Sequence, residues 1–167
     1  MDMKTLLATM PQVGRIEWIG LRPKKRAPLM GVDSVDVNAE LGLVGDHYKG
    51  QSKKRQVTLI QAEYLDVVAS ILGKATIDPS LTRRNIVVKG INLIALKDRH
   101  VQIGDQVILE VTGECHPCSR MEENLGPGGY NAMRSHGGIT TRVIQGGTIQ
   151  VGDAVKMLIP TTSTTKS

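Results

Sequence analysis

The sequence contains no phenylalanine, one tryptophan and three tyrosines among its 167 residues. Because aromatic side chains are nearly absent, a folded core must be built from valine, isoleucine, leucine and methionine. The hydrophobic fraction of 40% is that of an ordinary globular protein, so one domain with an aliphatic core is expected. The eighteen glycines indicate many turns, which favours short strands over long helices.

Long apolar runs are also missing, and the chain has only two cysteines. The apolar run in residues 1–8 is too short for a signal peptide, and no run reaches the length of a transmembrane helix. Two cysteines without an export signal argue against a disulfide scaffold and for functional thiols in a reducing compartment. These features predict a cytoplasmic protein that does not enter the membrane.

The net charge of +5 is modest and suits a small anionic ligand. Two basic loops, at residues 24–26 and 53–55, have no aromatic residues between their charges. Such loops are typical of solvated surface, because single-stranded nucleic acid is bound by stacking on aromatic side chains as well as by charge. No nucleic-acid partner is therefore predicted.

Apolar residues recur mainly with the period of a strand. Residues 101–107 and 149–155 nearly repeat each other, and each predicts a strand, a tight Gly-Asp turn and a second strand. Helical spacing predicts one helix over residues 61–72, with Gly73 as its end, and short helices after Cys118. Further strands are predicted at residues 13–20, 32–37, 57–60, 86–89, 92–96 and 107–111.

This pattern contains no regular alternation of strands and helices. The predicted fold class is therefore mainly β, a closed or nearly closed barrel with a few short helices. Residues 1–12 are predicted to be a leader, residues 13–160 a single domain, and residues 161–167 a disordered tail rich in serine and threonine.

Both cysteines lie in one short motif, Cys115-His-Pro-Cys118, between a predicted strand and a predicted helix over residues 119–125. This places Cys118 at a helix N-terminus, where free N–H groups favour a thiolate, and Arg120 adds a positive charge nearby. Cys118 could therefore act as a nucleophile, a sulfur carrier or a metal ligand. A dithiol pair with Cys115 stays open, whereas structural zinc is not predicted because a second ligand pair is missing.

Three other motifs carry polar chemistry. Arg83-x-Asn85, just before a strand, offers a forked cation and an amide that suit a phosphate or the edge of a heterocycle. Asp46 and His47 place an acid and a histidine in one turn, and the role of Asp46 could equally be only to cap that turn. The glycine-rich segment at residues 126–138 lacks the ending of a P-loop but could present backbone N–H groups to an anion.

Taken together, these motifs resemble the MOSC family, the domain named for the C-terminal part of molybdenum cofactor sulfurase. The resemblance runs over residues 14–158, and the order and spacing of the motifs are specific. The motifs are Gly-Leu-Val-Gly-Asp at 42–46, Arg-x-Asn at 83–85, Pro-Cys at 117–118, Gly-Gly at 137–138 and Gly-Gly-x-Ile-x-Val-Gly-Asp at 146–153.

The resemblance implies a MOSC-type β-barrel that binds the molybdenum cofactor (molybdopterin), in a small stand-alone bacterial member of the family. It implies that Cys118 ligates molybdenum or carries a persulfide, and it places Arg83 and Asn85 at the pterin. Further cofactor-binding residues would be Arg120, Asp46, Gly137 and Gly138. By analogy with family members, the bound cofactor would reduce N-hydroxylated compounds.

Three hypotheses follow for the function. The chain is a molybdenum-dependent oxidoreductase, a sulfur or cofactor carrier, or a dithiol redox protein that uses Cys115 and Cys118. Its partner would be a cysteine desulfurase or an electron-transfer protein. The first two hypotheses predict that Cys118, Arg83 and Asn85 line one concave pocket, with the glycine-rich loop at its rim.

Overall fold

A computed structural model describes residues 1–47 and 52–159. The tail predicted at residues 161–167 lies outside these residues. The helices are α1 (Met3–Ala8), α2 (Ala62–Ile71), α3 (Ser119–Leu125) and α4 (Gly129–Met133), with 3₁₀ turns at Pro79–Thr82 and Leu93–Leu96. The strands are β1 (Gly14–Leu21), β2 (Met30–Val32), β3 (Ser34–Asn38), β4 (Gly42–Leu43), β5 (Val57–Gln61), β6 (Ile86–Lys89), β7 (His100–Ile103), β8 (Val107–Glu114), β9 (Ile139–Gln145), β10 (Gly147–Gln150) and β11 (Ala154–Met157).

Seven of these strands close into a barrel in the order β1-β11-β7-β8-β9-β5-β6, because β1 pairs with both β6 and β11. All neighbours are antiparallel except β5 and β6. That parallel pair is joined by a crossover containing α2, as parallel strands require. Strand β2 pairs with the C-terminal end of β1, and β10, β3 and β4 form a separate small sheet. The prediction of a mainly β barrel with a few short helices is confirmed.

The barrel is filled by aliphatic side chains, as the shortage of aromatics requires. Fully buried residues from several strands meet there, among them Ile16, Leu59, Ile86, Ile103 and Leu109. A second apolar cluster lies outside the barrel, where α3 and α4 pack with α2. Met121 and Met133 are completely buried in it, so these two short helices are fixed by packing and not by their length.

Several local predictions are confirmed at their positions. The two Gly-Asp repeats each form strand, turn and strand, and β7 of the first repeat pairs with β11 of the second. The helix after Cys118 covers residues 119–125 as predicted. Among the described residues, none of the helices is long and apolar enough to cross a membrane.

Two local predictions were wrong or incomplete. Residues 92–96 do not form a strand, because Leu93 and Leu96, three residues apart, lie on the same face of a 3₁₀ turn and are both buried. The barrel strand β9 was not predicted at all, because it follows a glycine-rich stretch and buries the polar residues Thr140 and Thr141.

Candidate functional site

A row of paired residues across the barrel wall lies next to most of the predicted site residues. In this row Glu114 of β8 pairs with Ile139 of β9, Ile139 with Leu59 of β5, and Leu59 with Ile86 of β6. Ile86 in turn pairs with Ile19 of β1. The segments that continue beyond these strands surround a pocket of about 290 Å³, lined by Arg22, His47, Arg55, Thr58, Arg83, Arg84, Cys115, His116 and Cys118.

Cys118 brings an accessible thiol to this pocket. It is exposed, and it is the residue immediately before α3, with an extended backbone at φ −122° and ψ 178°. Its carbonyl accepts a hydrogen bond from the N–H of Met121 at 2.9 Å, which starts the first turn of the helix. Because Met121 is buried, the helix that follows Cys118 is fixed to the protein, and the thiol is presented at a defined place.

Cys115 lies deeper than Cys118. It is 3% exposed, and its N–H donates to the carbonyl of Gly138 at 2.8 Å. The guanidinium of Arg55 donates to its Sγ atom at 3.9 Å. Both cysteines are free thiols and both line the pocket, so the two differ in exposure and not in their oxidation state.

Arg84 fixes the loop that carries both cysteines. Its guanidinium is buried and donates to four carbonyls: those of Gly137 at 2.8 Å, Thr82 at 2.9 Å, Cys115 at 3.0 Å and His116 at 3.3 Å. Burial is the main cause that lowers the pKa of Arg84, while the two nearby thiols act to raise it. Arg84 was not among the predicted site residues, although it adjoins Arg83.

Gly137 and Gly138 are in backbone contact with the loop that carries the two cysteines. A Cβ atom at Gly137 would overlap the carbonyl oxygen of Cys115, and one at Gly138 would overlap the carbonyl oxygen of Leu59. Gly138 also has φ of +90°, which side-chain-bearing residues rarely adopt. Both glycines therefore allow the strand β9 to start in direct backbone contact with the cysteine loop, and neither lines the pocket.

Arg83 projects a partly buried guanidinium into the pocket. Its backbone has φ of +62°, which turns the chain between the preceding 3₁₀ turn and β6. No hydrogen bond joins this guanidinium to the described residues. Burial lowers the pKa of Arg83, and the positive charges of Arg22 and Arg120 lower it further, against smaller opposite effects of Cys118 and Asp46. The positive charges around Arg83 therefore outweigh the negative ones.

Asn85 lies directly before β6 next to the pocket but does not line it. It is 2% exposed, and its side-chain oxygen accepts hydrogen bonds from the N–H and the hydroxyl of Thr58, both at 3.1 Å. Its amide nitrogen donates to the carbonyl of Gly20 at 3.2 Å. Asn85 thus ties β1, β5 and β6 together beneath the pocket, and Thr58 reaches the pocket surface in its place.

Asp46 supports the wall of the pocket that contains Arg22. Its side chain is 1% exposed and accepts a hydrogen bond from the backbone N–H of Arg22 at 2.7 Å. The Arg22 Nε atom lies 3.7 Å from the same carboxylate oxygen. The N–H of His47 donates back to the carbonyl of Arg22 at 2.6 Å. Asp46 therefore positions Arg22 and His47, which are the residues that line the pocket here.

Arg120 lies outside the pocket lining. Its Nε atom is 3.9 Å from the carboxylate of Glu123, one turn later in α3. Its charge still affects Arg83. Among the described residues, no three His, Cys, Asp or Glu side chains form a group that could hold a metal ion by themselves.

Five pocket residues were given no role in the sequence predictions: Arg22, Arg55, Thr58, Arg84 and His116. Arg22 and Arg55 belong to basic stretches whose usual interpretation is solvated surface. Their signal in the sequence is their position, because Arg22 directly follows β1 and Arg55 lies two residues before β5. His116 lies inside the cysteine motif itself.

The fold and pocket define a small β-barrel protein with an exposed cysteine among arginines. The chain belongs to the MOSC domain family, whose family model matches residues 45–156. This family is generally associated with binding of the molybdenum cofactor. The family prediction is confirmed.

Solved structures agree with this fold. The chain is similar to the YuaD protein from Bacillus subtilis, with a TM-score of 0.76 and 18% identity over 89% of this chain and 98% of that chain. It is also similar to YiiM from Geobacillus stearothermophilus (TM-score 0.70, 17% identity, 87% of this chain and 75% of that chain) and to YiiM from Escherichia coli (0.66, 17%, 87% and 70%). None of the curated proteins matches the chain in sequence.

Proposed function

We propose that this chain binds the molybdenum cofactor in the pocket and that Cys118 is the residue that ligates the metal or carries a transferable sulfur. The observation that carries the proposal is the exposed Cys118 thiol in a pocket that four arginines also line. A soft thiolate is a preferred ligand of a soft metal centre, and guanidinium groups are preferred partners of phosphate.

The donor set fits the cofactor. The pterin carries a phosphate, and the Arg83 guanidinium has donors that the described residues leave free. The amide of Asn85 is already bonded to Thr58 and Gly20, so Asn85 supports the pocket and does not itself hold the pterin. Arg83 and Arg22 would hold the phosphate, and Cys118 would hold the metal. Asp46, Gly137 and Gly138 position these groups through the backbone, and Arg120 adds positive charge.

The protein's own contribution is to expose one thiol and to bury most of the other. Arg84 and Gly138 hold the backbone of the buried Cys115, so Cys118 is the thiol that a ligand can reach more easily. The bound cofactor would supply two-electron redox chemistry, such as reduction of an N-hydroxylated compound to the amine and water with two electrons and two protons from an electron-transfer partner. This chemistry suits a cytoplasmic protein, since a reducing compartment keeps Cys118 free.

A sulfur-carrier role uses the same residue. The terminal sulfur of a persulfide on a cysteine desulfurase would transfer to the Cys118 thiolate, and the donor cysteine would leave as a thiolate. Cys118 then carries a persulfide that a second protein accepts. The exposure of Cys118 favours both this role and ligation of molybdenum.

The test is elemental analysis and mass spectrometry of the full chain, purified from a host that makes the cofactor. Molybdenum with pterin supports cofactor binding, and an added mass of one sulfur atom supports the carrier role. Cys118→Ser should abolish either signal, because an alcohol stays protonated at neutral pH and is a poor ligand for a soft metal. Cys115→Ser, the matched control, should keep most of it.

A dithiol redox protein is the second candidate, because both thiols line the same pocket. In that case Cys115→Ser and Cys118→Ser would be equally damaging, and mild oxidation would protect both thiols from alkylation together. Alkylation of the native chain should instead modify Cys118 much faster than the buried Cys115. Equal loss in both variants would reject the assignment of Cys118 as the single working cysteine.

A further inference from the structure

The pocket beside Cys118 holds more positive charge than its surroundings neutralise. No aspartate or glutamate lines it, whereas four arginines do: Arg22, Arg55, Arg83 and Arg84. Of these arginines, only Arg22 forms an ion pair with the described residues, its Nε atom lying 3.7 Å from Asp46. Residues 48–51, which follow His47 in the sequence, contain no acidic residue either. An excess of one charge in a concave site attracts ligands of the opposite charge.

Two of the four arginines keep N–H donors for a ligand. The guanidinium of Arg83 makes no hydrogen bond to the described residues, and that of Arg55 makes one, to the Sγ atom of Cys115 at 3.9 Å. Arg84 differs, because its N–H groups donate to four carbonyls. Guanidinium groups with unused donors bind oxyanions through charge-assisted hydrogen bonds. The pocket thus offers binding groups for an anion.

Cys118 is the nucleophile of this pocket. Its thiol is exposed and lines the same space as the guanidinium groups of Arg55 and Arg83. The pocket of about 290 Å³ lies at the lower end of the volumes of small-molecule sites, roughly 300–1,000 Å³. A small anion that these arginines hold is therefore kept in the same confined space as the Cys118 sulfur.

We propose that the pocket binds thiosulfate, or a similar small anion in which a sulfane sulfur is attached to a sulfonate group, and that Cys118 accepts the sulfane sulfur. This names a sulfur donor for the carrier role and rests on that part of the proposed function. In the cofactor-binding form of the proposed function the same arginines hold a phosphate, so the site is the same and the anion differs.

The transfer is a single displacement at sulfur. The Cys118 thiolate attacks the outer sulfur of thiosulfate and forms a new S–S bond, which leaves a persulfide on Cys118. The bond between the outer sulfur and the sulfonate sulfur breaks, and its electron pair leaves with sulfite. Charge and electrons are conserved, so the step needs no oxidant or reductant, and sulfite leaves without a proton. Arg55 and Arg83 would stabilise the negative charge on the departing sulfite.

The first measurement mixes the full chain with thiosulfate in the absence of other thiols and follows the protein by intact mass spectrometry. One added sulfur atom on Cys118 and an equal amount of released sulfite are expected. Cyanide should then remove the added sulfur as thiocyanate and restore the thiol. Cys118→Ser should gain no sulfur, whereas Cys115→Ser should load as the native chain does.

The second measurement tests the arginines. Arg83→Gln should lower the rate of loading at low thiosulfate concentration by about tenfold, the effect of one lost charge-assisted hydrogen bond. Arg83→Lys, which keeps the charge but loses the fork, should fall between. Arg142→Gln is the matched control, because Arg142 is paired with Glu110 at 3.0 Å and does not line the pocket. It should load at the native rate.

A third measurement separates attraction of anions from the reactivity of the thiol. Iodoacetate and iodoacetamide alkylate a thiol by the same displacement of iodide, but only iodoacetate is an anion. The ratio of their rates at Cys118 therefore cancels any change in the thiol itself. Arg83→Gln should lower the ratio of the iodoacetate rate to the iodoacetamide rate several-fold, and Arg142→Gln should leave it unchanged.

Three outcomes would overturn the inference: no sulfur gained from thiosulfate, equal loading rates in the native chain and Arg83→Gln, or an alkylation ratio that Arg83→Gln does not change. A separate reaction with a persulfide-loaded cysteine desulfurase tests the proposed function. Loading from the desulfurase but not from thiosulfate would reject thiosulfate as the donor and leave the carrier role standing. A chain that takes sulfur from neither donor and binds no molybdenum would reject the proposed function as well.

Discussion

Replacement of Arg84 by methionine should destabilise the protein strongly, whereas the same replacement at the adjacent Arg83 should not. Methionine keeps much of the length of arginine but donates no hydrogen bonds. At Arg84 four carbonyls would lose their donor, in a place that is 5% exposed. A hydrogen bond from a charged donor contributes roughly 1.5–3 kcal/mol. Part of this is offset, because the buried charge itself is costly and its removal relieves that cost.

The expected net loss for Arg84→Met is about 3 kcal/mol in the free energy of unfolding. For a domain of this size that corresponds to a fall in Tm of roughly 6–12 °C. Arg83→Met should stay within about 0.5 kcal/mol of the native chain, since Arg83 has no hydrogen bond to the described residues and like charges surround it. Urea unfolding followed by circular dichroism measures both. Equal costs for the two variants would refute the view that Arg84 clamps the cysteine loop.

Two further predictions concern the loops around the site. Gly138→Ala should cost more than about 3 kcal/mol because its Cβ would overlap a carbonyl of β5, whereas Gly73→Ala, also at positive φ but with open space around it, should cost only about 1 kcal/mol. Urea unfolding measures both, and similar costs would contradict the overlap. Glu122 accepts the backbone N–H groups at the start of α4, that of Tyr130 foremost, and these lower its pKa. A lowered pKa means stability that is present above the unfolded-state pKa and is lost as the pH falls through the folded-state value. Glu122→Gln should therefore lower Tm near neutral pH and have no effect below that value, and a constant difference in thermal melts at all pH values would contradict this origin.

The fold could be predicted from the sequence where the buried positions are apolar. Strands at residues 57–60 and 86–89 are almost wholly apolar, and both were placed correctly. The prediction failed where buried positions are polar. Thr141 of β9 is completely buried, and its hydroxyl donates to the carbonyl of Val57 at 2.7 Å. A satisfied hydroxyl can occupy a core position, and the sequence alone does not show which hydroxyls are satisfied.

The site was harder to predict than the fold, because adjacent residues have opposite roles. Arg83, Arg84 and Asn85 are consecutive, yet the first lines the pocket, the second is a buried clamp and the third ties strands together. Their directions are set by the positive φ of Arg83 and by the start of β6 at Ile86. Such a turn depends on the partners Thr58 and Gly20, which are distant in sequence.

The charge in the pocket connects the stability of this fold to its function. Arg22 and Arg83 are close enough that the charge of one lowers the pKa of the other, so their proximity opposes folding. An anion that binds the folded chain and not the unfolded chain removes the repulsion and stabilises the fold by mass action. The residues that weaken the empty protein are therefore the ones that should strengthen it once an anion is bound.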